Sequence, residues 1–308
     1  MGKDSSLPLR QLPAKDLRMA DLTPANDVSP KLDAVKTAAK EPGVKRRKLR
    51  GILLKLSLAL TILGPLIFII AALGAKLGLW GWPFGLLTLS TKVGPMVLIL
   101  GLVVAVLAML SAFIIQPRKG IVIALVGLLV PALGLGKLAK TKSKGESLPA
   151  IHDITTNTQD PPIFGDVILA ERATLKGVNT ADYKGKMASV RAKDGTESKT
   201  LVAALQTKAY PRISPIIINE TQEVAFGQAL ATAKSMGWTI KEEDQATGRI
   251  DATDTTFWYG FKDDITIRLR KSEGGGTLVD VRSLSRVGVS DLGKNAARIE
   301  AFLESLNN

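Results

Sequence analysis

Residues 56–75 read LSLALTILGPLIFIIAALGA, twenty consecutive positions without a charge. At about 1.5 Å per residue, such a stretch crosses a hydrocarbon core of roughly 30 Å as a helix. Lys55 at its start has an apolar stem long enough to reach back to the interface. A secretory signal peptide fits badly here, because its apolar region is shorter and the tail ahead of it far shorter than the one seen. Working outward, residues 93–116 form a second apolar span, rich in Val, Leu and Ile, and residues 121–136 a third, short and interrupted by Pro131. Between the first two lies Leu77 to Thr91, apolar but only fifteen residues long, with Trp80, Trp82 and Pro83. It is expected as an interfacial or re-entrant loop, its tryptophans at the membrane boundary. If it crossed instead, everything downstream would change sides.

The charges sort around these spans. Residues 1–144 hold 21 Lys/Arg and 6 Asp/Glu, whereas residues 145–308 hold 20 and 22. The basic excess therefore belongs to the tail and the span flanks. A nucleic-acid protein would carry it on a folded domain, so no nucleic-acid partner is expected. Residues 1–50 are polar, contain Pro8, Pro13, Pro24 and Pro30, sustain no apolar period and are expected to be a disordered cytoplasmic tail. They end in Lys45-Arg46-Arg47-Lys48-Leu49-Arg50, an orientation signal rather than a nuclear one, since a span follows at once. Basic residues near the spans number nine on the tail side, including Arg118 and Lys119, against six on the other: Lys76, Lys92, Lys137, Lys140, Lys142 and Lys144. The balance predicts a multi-pass membrane protein with the tail inside and residues 145–308 outside; in a bacterium that means the inner membrane, a cytoplasmic N-terminus and a periplasmic domain.

The chain has no cysteine and one histidine, His152. Disulfides, thiol catalysis, cysteine-ligated zinc and multi-histidine metal sites are thereby excluded. In residues 145–308, Asn219 is expected to cap a helix carrying Phe226, Leu230 and Ala233 and ending at Gly237. Strands follow at Trp238–Lys241, Arg249–Thr253, Ile265–Leu269 and around Val279 and Val281, the last two joined across Gly274-Gly275-Gly276. A final helix starts after Ser290 and bears Leu292, Ala296, Ile299, Leu303 and Leu306. A shorter helix is expected between Ser198 and Lys208. The prediction is an α+β domain: a four-stranded antiparallel sheet with two helices on one face. Trp238, Ile240, Ile250, Ile265, Ile267, Val279 and Val281 would face the helices. Lys241, Arg249, Asp251, Arg268, Arg270, Asp280 and Arg282 would face away.

Three stretches carry a family resemblance. They are Ile151-His152-Asp153-Ile154 with Asp160-Pro161-Pro162; Ala252-Thr253-Asp254 through Gly260-Phe261-Lys262-Asp263-Asp264; and Asp280-Val281-Arg282-Ser283 through Ser285-Arg286-Val287-Gly288 and Ser290-Asp291-Leu292-Gly293. Over residues 150–306 the chain resembles an uncharacterised bacterial family, the domain of unknown function 1499. The resemblance implies a small α/β domain attached to a bacterial membrane and implies no reaction.

Four groups are candidate sites. Phe257, Trp258, Tyr259 and Phe261 fall within five positions and suit a ligand or membrane-docking loop, or a packed cover on the end of the sheet. Asp254, Asp263 and Asp264 could hold a cation or do acid–base work, yet no calcium-loop spacing is present and turn or strand-end roles compete. Arg268, Arg270, Arg282 and Arg286 could grip an anionic headgroup, or pair with Asp251 and Asp280 across the sheet. His152-Asp153 lacks a Gly-x-Ser-x-Gly partner, which favours a structural histidine. No phosphate loop is present, and no cofactor or metal is expected. No charged residue lies within the three spans, which argues against an ion pathway. The expected function is a non-enzymatic envelope protein whose extracytoplasmic domain binds an envelope protein or a lipid-like ligand, with the bilayer as its constant partner. The alternative is an enzyme acting on an envelope lipid or glycan through His152, Asp263 or Asp264.

Overall fold

The computed structural model describes the backbone of residues 29–191 and 194–307, with side chains from Gly43 onward except at Arg191. Of the expected disordered tail, residues 1–28 lie outside the described residues, and from Ser29 the chain is helical. Residues 31–41 are mostly Ala, Lys, Leu and other good helix formers, which explains why this half of the stretch departs from the expectation.

Helix α1 runs Ser29–Lys76, α2 Gly94–Ile114 and α3 Ile121–Ser147. A π-helical segment, Phe84–Val93, leads directly into α2, where the amide of Gly94 bonds the carbonyl of Leu89 five residues back. The loop expected over residues 77–91 is therefore corrected to a short turn followed by helix. The second apolar helix extends from Phe84 to Ile114, and the third runs past residue 136 to Ser147. Among the described residues three helices are long and apolar enough to cross a membrane, the same number of candidate spans as expected.

Between helices in an apolar solvent, association depends on close packing rather than on hydrophobic burial. The buried positions of α2 include Gly101, Ala105, Ala108 and Ala112, a small-residue stripe at helical spacing. On α3 the matching residues are Ala124, Gly127 and Pro131. A Cβ at Gly127 would come within 2.2 Å of Ser57 Oγ on α1, so only glycine permits this approach. Arg50 closes the bundle at one end by donating to the carbonyls of Ile115 (2.8 Å) and Pro117, just past the end of α2.

Residues 50–308 form one compact unit. Beyond α3, the described elements are β1 Asp153–Thr155, α4 Asp166–Ala173, β2 Met187–Arg191, β3 Glu197–Leu201, α5 Val202–Ala209, β4 Ile216–Ile218, α6 Gln222–Ser235, β5 Thr239–Asp244, β6 Arg249–Thr255, β7 Lys262–Lys271, β8 Thr277–Ser285 and α7 Lys294–Leu306. The four expected strands are present as β5 to β8, an antiparallel meander. The sheet is larger than expected, because β1 and β4 both pair antiparallel with β8. Each is only three residues long, too short to show an alternating pattern in sequence. The β2–β3 hairpin is a separate two-stranded sheet. Its second strand takes the first residues of the helix expected at Ser198–Lys208, and α5 begins only at Val202.

Helices α6 and α7 cover one face, as expected, against Ile250, Ile265, Ile267, Val279 and Val281, all fully buried. Trp238 stacks on Phe302 of α7 at 5.3 Å. Two caps differ from the reading. Thr221, not Asn219, accepts the amide of Val224 at the start of α6. Asp291, not Ser290, accepts the amides of Gly293 and Asn295 ahead of α7, which leaves Leu292 outside the helix and exposed.

The expected solvent face is the larger correction. Asp251, Asp280 and Arg282 are buried. The chain from Thr156 to Tyr183, with α4, lies across that face. There Phe164, Ile168 and Leu284 make a second small core.

Candidate functional site

The sequence Thr255-Thr256-Phe257-Trp258-Tyr259-Gly260-Phe261 links β6 to β7. Thr256 closes it as a turn, its amide donating to the carbonyl of Phe261 (2.8 Å) and its hydroxyl accepting the amide of Phe261 (2.9 Å). The rings do not cap the sheet. They meet the apolar helices. Tyr259 Oη lies 2.7 Å from Ser90 Oγ on the π-helical segment. Phe261 meets Trp82 edge-on at 5.9 Å and stacks on Tyr259. At the end of α1, Lys76 donates to the carbonyl of Phe257 (2.8 Å), and its ammonium sits 4.8 Å from the centre of that ring. Phe257 and Trp258 remain exposed at 71% and 51%, so they form a rim, while Tyr259 and Phe261 form the joint.

Behind this rim lies an open cavity of about 1000 Å³, at the upper end of the range of small-molecule sites. Phe68, Ile69 and Ala72 of α1 line one side, with Leu86, Ser90 and Thr91 of the π-helical segment. Leu138 and Thr141 of α3 close another side. From the sheet domain come Trp238, Asp254 and the aromatic loop, and from α7 come Lys294, Ala297 and Arg298. A lining whose exposed surface is largely apolar, with polar groups set into it, suits an amphiphile.

Of the residues singled out in sequence, Phe257, Trp258, Tyr259, Phe261 and Asp254 meet at this cavity. The others are built into the fold. Asp254 and Asp263 face each other across β6 and β7, and both are held at 2.6 Å by Arg298. Asp264 is fully buried and receives both Arg286 (2.7 Å) and Arg172 (2.6 Å), with Thr253 donating at 2.9 Å. Burial opposes the charge on Arg286, but its bonds to Asp264 and Glu171 outweigh that and raise its pKa. Arg282 donates two bonds of 2.9 Å to Asp153. Arg268 (2.8 Å) and Arg270 (2.9 Å) share Asp280, as the cross-strand alternative anticipated. Arg282, by contrast, finds its partner on β1 rather than in Asp251 or Asp280. His152 sits apart, its Nδ1 3.3 Å from the carbonyl of Val289. Burial, with Lys186 nearby, lowers its pKa below the usual value.

Sequence reading missed Arg298, Lys294 and Ala297, since α7 was read only for its apolar stripe. Arg298 stands four positions before Phe302, on the buried side of that helix, and a charge on that side was the available signal. The contributions of Ser90, Leu138 and Phe68 carried no signal at all, because nothing local says which span faces the loop.

No curated protein matches the chain. The family model described as a protein of unknown function, DUF1499, matches residues 153–306, from the first strand of the sheet to the end of α7. That match spans half the chain and includes the aromatic loop and the arginine–carboxylate pairs, and on it the chain belongs to the DUF1499 family.

Proposed function

We propose that this is a multi-pass bacterial inner-membrane protein with its N-terminus in the cytoplasm and residues 145–308 in the periplasm, and that it binds a lipid-like amphiphile without catalysing a reaction. The observation that carries the reading is the cavity of about 1000 Å³ walled on one side by helices apolar enough to span a bilayer and on the other by the aromatic loop. A bilayer lipid can enter such a space from the hydrocarbon region without crossing water, so its chains stay desolvated throughout. The alternative, an enzyme using Asp263 or Asp264, gains nothing from the geometry, because both carboxylates are already held by arginines.

The ligand is tested on the full chain, extracted in mild detergent and analysed by native mass spectrometry. The expected result is a reproducible added mass, released by organic extraction, that disappears in Ala297→Trp, where an exposed residue of α7 on the cavity wall is filled in. Equal added mass in both proteins would mean annular lipid only and would overturn the reading. Orientation is tested independently. The chain has no cysteine, so single substitutions report cleanly. A membrane-impermeant thiol reagent should label Ser189→Cys, in the exposed β2–β3 hairpin, in cells with a permeabilised outer membrane. It should spare Lys119→Cys, between α2 and α3. The reverse pattern would invert the topology.

A further inference from the structure

The cavity is electrostatically lopsided in a way its apolar walls do not require. It has three charged lining residues, Asp254, Lys294 and Arg298. Arg298 is bonded at 2.6 Å to both Asp254 and Asp263, so that cluster carries one net negative charge, with its carboxylates already held. Lys294, in the first turn of α7, is exposed and has no ion-pair partner among the described residues. One other lysine adjoins the lining. Lys76 lies over the ring of Phe257. The nearby ion pair of α3, Lys142 with Glu146, is self-contained. Lys294 and Lys76 together outweigh the one net negative charge of the Arg298 cluster, so these groups sum to one net positive charge beside a largely apolar wall, where a charge pair is stronger than in water.

On the reading that the cavity takes an amphiphile, we propose that its ligand is a lipid with an anionic phosphate headgroup, seated at Lys294 with its acyl chains against Phe68, Ile69 and Leu138. Lysine binds phosphate as a point charge with three donors. A free phosphate ion fits poorly, since the exposed surface of the lining is largely apolar and would strip its hydration without full replacement.

The test uses the full chain, delipidated in a non-ionic detergent and titrated by native mass spectrometry with phosphatidylglycerol, with phosphatidylcholine and with inorganic phosphate. Phosphatidylglycerol is expected to bind at least about tenfold more tightly than phosphatidylcholine, a difference of about 1.4 kcal/mol. Lys294→Gln should remove most of that preference while leaving the melting temperature and elution profile unchanged, as expected for an exposed side chain. Inorganic phosphate should not compete. Equal binding of the two lipids, or a preference unaltered in Lys294→Gln, would overturn the headgroup assignment and leave the amphiphile cavity standing. Displacement of lipid by inorganic phosphate would make the site a free-anion site and overturn it as well. Binding of neither lipid would overturn both readings together.

Discussion

Tyr259 and Ser90 lie 169 positions apart in sequence, and their hydroxyl oxygens are 2.7 Å apart. This contact joins a turn of the sheet domain to the π-helical segment that begins the second apolar helix, and the cavity lies beside it.

Removing that bond tests whether the junction is held there. A buried or half-buried hydrogen bond contributes about 1 kcal/mol. Tyr259→Phe should therefore accelerate amide hydrogen exchange in residues 256–261 several-fold and leave the strands of the sheet protected. Ser90→Ala should do the same, and the double substitution should add little to either alone, as expected of partners in one interaction. Full additivity would mean that the two side chains do not act together.

Arg298 should be among the least replaceable residues of the domain. Its removal leaves Asp254 and Asp263 opposed on neighbouring strands with no cation between them. Deleting one member of a buried ion pair costs about 3–5 kcal/mol. Arg298→Ala should lower stability by that order in a denaturation experiment, and Arg298→Lys should recover only part of it, because one ammonium cannot reproduce the fork that also reaches Ser283 and Asn295. Arg270→Ala, whose side chain is 42% exposed, should cost less than about 1 kcal/mol.

His152 gives a pH dependence of known sign. It is the only histidine of the chain, so its ring resonance is unambiguous by NMR, and its midpoint should fall below the usual 6.5. The native state disfavours the charged ring. Its contribution is therefore fully present above pH 6.5 and is lost as pH falls through the lowered folded value. His152→Gln should flatten the stability profile below pH 6.5. A midpoint above 6.5 would reverse the sign and refute the burial argument.

Gly248 separates β5 from β6 with φ +68°, and a Cβ there would stand 2.2 Å from the carbonyl oxygen of Leu269. The left-handed conformation alone costs a side chain about 1–2 kcal/mol, and the clash is with backbone, which cannot swing aside. Gly248→Ala should destabilise the domain by more than about 2 kcal/mol in the same denaturation experiment. A change below about 0.5 kcal/mol would show that the turn can relax.

Where one physical signal dominated, the amino-acid order was enough. Uninterrupted apolar length marked the three long helices, and two-residue alternation marked β5 to β8, because the buried face of each strand repeats every second residue. Gly237, at φ +80°, stopped α6 as its type suggested. The competing signals misled. Trp80 and Pro83 read as loop, whereas the chain turns only as far as Gly81, and Pro83 is already helical as it leads into the π-helix. The three-residue strands β1 and β4 had no length over which to show a period. The arginines and aspartates of the sheet looked like a solvated face, because charge in sequence says nothing about whether a distant segment will cover it. Residues 156–183 do cover it, and the pairing of β1 with β8 brings Asp153 to Arg282, 129 positions away. The cavity belongs to the same class of feature. Its aromatic rim was visible as a cluster in the chain, but its walls come from α1, the π-helical segment, α3 and α7. Which faces of those helices turn toward one another is set by close packing among residues such as Gly101, Ala105 and Gly127, and that choice is made in the tertiary structure alone.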